Sequence, residues 1–385
     1  MQHHADTTAF DWQPRTRLVC GPGTLARVGK LAAELGGQRV LLVTDKGIVA
    51  AGHVARAQAA LEAAGLLVIV DDGVRENPTT LDIARCLALA REGRVDLLIG
   101  LGGGSSMDTA KGCNFLLTNG GEMRDYWGVG KATRPMLPFI AIPTTAGTGS
   151  ECQSAALIAD ETTHQKMACL DPKAAARIAL LDPQLTLSQP PRVTACTGVD
   201  ALAHAVETAV TTRRTPLSVL FSKEAFRLCV EALPRVLSHP SDLAARARMQ
   251  LGAAHAGLAI EASMLGAAHS AANPLTAHHH IVHGQAVGLV LPAIVRFNAT
   301  GSTGSHAADY HDLCAAAGLR DAEALAQRLE EILALSGLTT RLRDHGVTPA
   351  KIPALAQEAA TQWTAQFNPR PITPADFARI YTSLL

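Results

Sequence analysis

Along the first half of the chain, short apolar runs rich in Leu, Val and Ile alternate with longer stretches in which apolar residues recur at helical spacing. Residues 39–44, 66–70, 96–101 and 139–143 are the clearest short runs, and their length and branched side chains predict strands. Residues 49–64 and 80–92 carry apolar positions at helical spacing on good helix formers, which predicts helices between the strands. Such alternation predicts a doubly wound α/β domain built on a parallel sheet. From about Thr186 the texture changes: Ala, Leu, Arg and His dominate and helical periods follow one another to the C-terminus, so the second half is expected to be all-helical. The boundary is expected near residues 187–192, where Gln189-Pro190-Pro191 interrupts any helix, giving domains 1–188 and 189–385.

Composition narrows the function. With 385 residues, 48% hydrophobic and 18% charged, the chain can bury two cores. Lys plus Arg and Asp plus Glu both number 34 and no block of like charge occurs, which argues against nucleic acid or an anionic membrane surface as partner. The first 17 residues are polar, include Asp6 and Asp11, and lack the basic start and apolar stretch of a secretory signal. No apolar run is long enough to span a bilayer. Eight scattered cysteines without a C-x-x-C pair fit reduced, buried thiols, and a cytoplasmic location is expected.

Candidate chemistry begins at Gly102-Gly103-Gly104-Ser105-Ser106, which follows a strand and precedes a helix expected to begin near Asp108. Glycines there let the backbone approach a pyrophosphate, and a helix N-terminus offers unpaired N–H groups; the same run also fits a tight strand-to-helix turn. Asp45, at the end of the run 39–44, is placed to accept hydrogen bonds from an adenosine ribose and to repel a 2′-phosphate, favouring NAD over NADP. It reads equally as a turn residue before Gly47. A second polar turn, Thr144-Thr145-Ala146-Gly147-Thr148-Gly149-Ser150-Glu151, follows the run 139–143. Three strand ends thus point to one dinucleotide crevice.

In the second half, Asp200 and His204 are four apart, so a helix would present both on one face, one turn apart. His269 and His283 flank Pro274, a break at which one could end a helix and the other begin the next element. A carboxylate with three imidazoles suits Fe²⁺ or Zn²⁺ with open coordination for a substrate oxygen. Taken singly, each histidine also fits a structural role.

Four motifs, GGGSSMDTAK from Gly102, IPTTAGTGSE from Ile142, TGVDALAHAVE from Thr197 and HSAANPL from His269 with HGQAVG from His283, together resemble the iron-containing alcohol dehydrogenases in order and separation. The resemblance implies a Rossmann-like N-terminal domain and a helical C-terminal domain, as in dehydroquinate synthase-like folds. It also implies NAD(H), one Fe²⁺ or Zn²⁺, a small alcohol or aldehyde as substrate and a homodimer or larger homo-oligomer. It carries metal ligation onto Asp200, His204, His269 and His283. It carries pyrophosphate contact onto Gly103, Gly104 and Ser105, adenosine contact onto Asp45, Thr144 and Thr145, and further cofactor contacts onto Thr148 and Lys166. Lys166 precedes Leu170-Asp171-Pro172 as a family lysine does, and otherwise reads as a surface lysine.

The sequence also departs from the family. Relatives place a proton-exchanging histidine where this chain has Asn273, and asparagine exchanges no proton near neutral pH. The relay is therefore expected to use water, the cofactor ribose, or one of His278, His279 and His280, which otherwise read as a solvated loop. Ile260 and Ala155 stand where relatives often have Phe and Asn, implying a pocket of different shape. Hydride transfer between NAD(H) and a small primary alcohol or aldehyde is the expected activity, a diol, hydroxy acid or semialdehyde remaining open as substrate. A polyol (glycerol) dehydrogenase and a catalytically silent NAD-binding protein are the alternatives; the lyase that makes dehydroquinate fits less well.

Overall fold

The computed structural model describes residues 9–163, 165–300 and 306–385, so Asp6 and the start of the polar N-terminal stretch lie outside the described residues. The described residues form two compact units, one within 13–145 and 149–189, the other within 190–385 with the segments 9–12 and 146–148. The second unit thus gathers two pieces distant in sequence. The Trp12 ring lies 5.9 Å from that of Phe221, tilted by 53°, and a side chain on Gly147 would meet the Thr197 backbone at 2.5 Å, so each piece is packed against a helix of that unit.

The first unit contains strands β1 (Arg17–Cys20), β2 (Arg39–Val43), β3 (Leu67–Asp71), β4 (Leu97–Gly102), β5 (Gly128–Val129), β6 (Phe139–Pro143), β7 (Ala155–Ala159), β8 (Lys166–Leu170) and β9 (Ile178–Leu181). Its helices are α1 (Val28–Glu34), α2 (Lys46–Ala50), α3 (His53–Ala63), α4 (Thr80–Gly93) and α5 (Gly104–Asn119). Six strands form one parallel sheet in the order β1-β9-β6-β4-β2-β3, and β5, β8 and β7 form a small second sheet. Along β2, Val40 and Leu42 enter one apolar cluster while Leu41 and Val43 enter another. The same alternation repeats on β4 and β6, which is the two-residue period of a strand buried on both faces. Val28 and Leu31 of α1 with Val54 and Leu61 of α3 cover one face; Cys86 of α4 with Met107 and Cys113 of α5 cover the other.

Two helix readings are corrected. The helix expected over 49–64 is broken at Gly52, whose φ of 78° interrupts the α2 and α3 pair. The helix expected to start near Asp108 starts at Gly104, so the glycines themselves open it.

The second unit, among its described residues, is helical: α6 (Pro191–Val210), α7 (Pro216–Ser238), α8 (Leu243–Glu261), α9 (Ala267–His279), α10 (His283–Ala299), α11 (His311–Ala316), α12 (Ala322–Leu335), α13 (Ile352–Thr361) and α14 (Pro374–Ser383), with short 3₁₀ turns. Pro191 opens α6 at its first turn, where its missing N–H costs nothing. Pro274 does not break the chain as expected but lies inside α9, so His269 stands near the start of that helix rather than at the end of one. Small residues let the helices approach: a Cβ on Gly284 would lie 2.1 Å from the Cys196 carbonyl oxygen. Among the described residues, no helix is long and apolar enough to cross a membrane.

Candidate metal centre and dinucleotide crevice

In the large sheet, the direction in which successive parallel strands are added reverses between β2 and β4: β3 lies to one side of β2, and β4 and β6 lie to the other. Ligands of open α/β sheets bind at the carboxyl ends of strands beside such a point. Asp45 lies two residues past Val43, the end of β2, and caps α2, its Oδ1 accepting the N–H of Gly47 at 2.8 Å and of Ile48 at 3.1 Å. Its Oδ2 lies 3.6 Å from where a Gly102 Cβ would stand, so the carboxylate overhangs the end of β4. Gly102 has a φ of 153° and no room for a side chain beside Ser106. Gly103 is the N-cap residue of α5 and no side chain caps the helix there, which leaves its first N–H groups turned toward the strand ends. Ser105 Oγ accepts the Asn77 N–H at 3.3 Å.

Beyond β6, the Thr144 N–H donates to the Gly102 carbonyl at 2.9 Å, and Thr145 Oγ1 is buried without a hydrogen-bond partner, close to Gly103. The structure thus brings Asp45, Gly103, Gly104, Ser105, Thr144 and Thr145 to neighbouring strand ends. Thr148 belongs to the other unit, and Lys166 stands exposed at the start of β8 in the small sheet. The turn is anchored from below by Lys111, which is buried and donates to the Ser150 carbonyl at 2.6 Å, the Ser150 hydroxyl at 2.8 Å and the Ala155 carbonyl at 2.9 Å. Ser150 in turn donates to Asp108 at 2.8 Å. Burial pushes the neighbouring Glu151 carboxyl up to about 7.

In the helical unit, α6 runs as a 20-residue helix and presents Asp200 and His204 on one buried face, as their spacing predicts. His269 in the first turn of α9 and His283 at the first position of α10 are brought to that face from elsewhere in the sequence. One ligand atom each from Asp200, His269 and His283 lie within 4.8 Å of one another. Asp200 Oδ1 is 3.5 Å from His204 Nε2 and 3.6 Å from His269 Nε2. The His204 and His269 rings stack at 4.9 Å and the His283 ring lies 5.3 Å from that of His269. Gly284 makes this possible, since a Cβ there would stand 3.1 Å from Asp200 Cβ.

The electrostatics are those of a tight ionic cluster. Burial pushes the Asp200 carboxyl up, yet the imidazoles around it, His204 first, hold it well below the usual carboxylate range. Burial lowers His204. For His269 burial is outweighed by Glu207 and Asp200, which raise it to about 9. Two atoms test whether the cluster suits a cation: Asp200 Oδ1 and His269 Nε2 are both buried and neither has a hydrogen-bond partner. Buried polar atoms left in this way are costly, and a carboxylate oxygen with imidazole nitrogens is a donor set for Fe²⁺ or Zn²⁺. The residues fit a divalent metal.

Two residues of this site escaped sequence reasoning. Glu207 accepts the Ala268 N–H at 2.6 Å and pairs with His269 Nδ1. Gly147 accepts from His204 Nδ1 at 3.3 Å. Glu207 stands three residues after His204 in the TGVDALAHAVE motif, so helical spacing alone would have put it near the cluster.

The relay candidates His278, His279 and His280 share one stretch of the chain. They end α9, about ten residues or ~15 Å of helical rise from His269. His278 pairs with Glu358 at 2.6 Å, His279 Nδ1 donates to the His345 carbonyl at 3.1 Å, and His280 caps the helix in a left-handed conformation. Asn273, one turn after His269, instead donates to Gln362 Oε1 at 3.0 Å.

Comparison with known proteins identifies the family and the fold. Residues 14–183 match the family described as iron-containing alcohol dehydrogenase, and residues 194–385 match the C-terminal domain of the same family. The chain is 35% identical over 367 residues to lactaldehyde reductase of Escherichia coli, covering 92% of this chain and 94% of the relative. It is 31% identical over 371 residues to the NAD-dependent methanol dehydrogenase of Bacillus methanolicus, covering 95% and 97%. Among solved structures, a 1,3-propanediol oxidoreductase superposes with a TM-score of 0.93 at 30% identity, covering 98% of this chain and all of the other.

Proposed function

Since the chain belongs to the iron-containing alcohol dehydrogenase family and is as such a metal- and NAD-dependent oxidoreductase of alcohols and aldehydes, we propose how its residues divide that work. Asp200, His204, His269 and His283 hold one Fe²⁺ or Zn²⁺, and the helical unit receives a small primary alcohol or its aldehyde. The sheet unit binds NAD(H). The observation that carries the reading is the convergence of Asp200, His269 and His283 from three helices, with Asp200 Oδ1 and His269 Nε2 buried and without a hydrogen-bond partner.

When bound, the metal supplies Lewis acidity toward the substrate oxygen and the nicotinamide exchanges the hydride. Everything else falls to the chain. Asp200 brings the one negative charge of the ligand set. The open first turn of α5, with Gly103, Gly104 and Ser105, receives the pyrophosphate. Asp45 keeps Oδ2 for the ribose hydroxyls, because Oδ1 is committed to capping α2, and its charge disfavours a 2′-phosphate. Thr144 and Thr145 contact the adenosine side, and Thr148 and Lys166 make further cofactor contacts. Asn273 holds no exchangeable proton near neutral pH, so the substrate proton would be taken up by water, by the cofactor ribose when it is bound, or by one of His278, His279 and His280. The reading includes a cytoplasmic homo-oligomer; the compartment is supported by eight cysteines, none of which forms a disulfide.

The test is elemental analysis of anaerobically purified protein together with NADH oxidation over short aldehydes. About one metal ion per chain and aldehyde-dependent turnover are expected. Protein without metal that stays inert after Fe²⁺ or Zn²⁺ is supplied would refute the reading.

A further inference from the structure

Glu207 is almost fully buried on α6, seven residues after Asp200, yet it is not itself among the clustered ligand atoms. Its two carboxylate oxygens do different things. Oε1 accepts the Ala268 N–H, at 2.6 Å, in the first turn of α9. Oε2 pairs with His269 Nδ1. The N-cap position of α9 is Gly266, which has no side chain to cap the helix, and a Cβ there would come within 3.1 Å of Glu207 Oε1. The cap of α9 is therefore supplied from α6, where the negative charge also meets the positive end of the helix dipole.

We propose that Glu207 is a positioning residue that keeps the proton of His269 on Nδ1 and so leaves Nε2 as the atom offered to the metal. The inference rests on the reading of the cluster as a metal site. A carboxylate can only accept here, so Nδ1 must carry the hydrogen; the ring nitrogen that remains is Nε2, which faces Asp200 at 3.6 Å and has no hydrogen-bond partner. An imidazole that donates one N–H to a carboxylate is fixed in tautomer and ring orientation and is the more basic for it. Because the same carboxylate also caps α9, one side chain ties the start of that helix, and with it His269, to the helix that carries Asp200 and His204.

Glu207→Gln separates these roles from bulk packing, since a carboxamide is the same size but has one acceptor oxygen for two donors. If its oxygen keeps the Ala268 N–H, its NH₂ forces the hydrogen of His269 onto Nε2; if it flips to accept from His269, the cap is lost. Zn²⁺ affinity would be measured by competition with a chromophoric chelator on apo wild-type and variant, and the His269 ring observed by NMR of ¹⁵N-histidine-labelled, Zn²⁺-loaded protein, assigned by the signal missing in His269→Asn. Zn²⁺ should bind the variant roughly 10- to 100-fold more weakly. The wild type should show a hydrogen-bonded Nδ1–H on His269, and the variant should lose it when its oxygen stays with Ala268 or keep it, at weakened affinity, when the amide flips and the cap is lost. Equal affinity with an unchanged ring signal overturns the proposal while leaving the metal site standing. A wild type that binds no Zn²⁺ overturns both. Should the variant fail to fold, the wild-type spectrum still decides: His269 bound through Nδ1, with its hydrogen on Nε2, contradicts the role given to Glu207.

Discussion

Asp200 Oδ1 and His269 Nε2 face one another at 3.6 Å in the interior of the helical unit, just beyond hydrogen-bond range, and neither has a hydrogen-bond partner. An ion that both can ligate would satisfy both. His269→Ala is expected to abolish metal retention and turnover while leaving the fold intact. Wild-type protein should gain thermal stability on Fe²⁺ or Zn²⁺ addition and lose it to chelator, since a ligand that binds only the native state stabilises it by mass action. The variant's melting temperature should not respond to either, which differential scanning calorimetry would show.

Gly284 is a packing device for the same site. A methyl group there would lie 2.1 Å from the Cys196 carbonyl oxygen, and that atom is helix backbone and cannot swing aside. Gly284→Ala should push α10 away from α6, lower stability by about 3 kcal/mol, the upper end for overpacking, and weaken metal binding because His283 moves with its helix. Chemical denaturation and metal titration of one preparation would check both effects; unchanged values in both would contradict the packing argument.

Glu151 makes stability depend on pH in an unusual direction. Burial raises its folded pKa to about 7 from 4.5. A carboxyl raised on folding costs nothing below pH 4.5, where both states are protonated. The penalty grows as pH rises through the window from 4.5 to about 7, and is complete above it, at roughly 3 kcal/mol. Glu151→Gln should therefore be more stable than wild type at pH 8 and match it near pH 4, as measured by urea unfolding across pH. A constant difference at all pH values would contradict this account.

Asn273 stands one turn after His269 with its amide held by Gln362. Asn273→His would introduce a group that titrates near 6.5 in the absence of perturbation. The pH profile of kcat/KM is expected to gain a limb in that region, with metal content unchanged. A profile identical to wild type would argue that this position does not face the reacting atoms.

Much of this was legible without coordinates because it is local. The two-residue alternation of Val40 to Val43 on opposite apolar clusters is a property of any strand buried on both faces, and the shared face of Asp200 and His204 follows from helical pitch alone. The reading failed where local rules were asked for a spatial answer. Pro274 reads as a break, yet α9 continues through it.

By itself, the sequence determined the class of fold, the glycine turn after β4 and the pairing of Asp200 with His204, since each depends on neighbours within a few residues. Only the tertiary structure decided that His269 and His283 meet Asp200, that Glu207 serves both His269 and the start of α9, and that Gly284 admits the close approach of α10 to α6. Those relations join residues dozens of positions apart, and they are set by how side-chain volumes let helices pack, which no periodicity along one segment encodes.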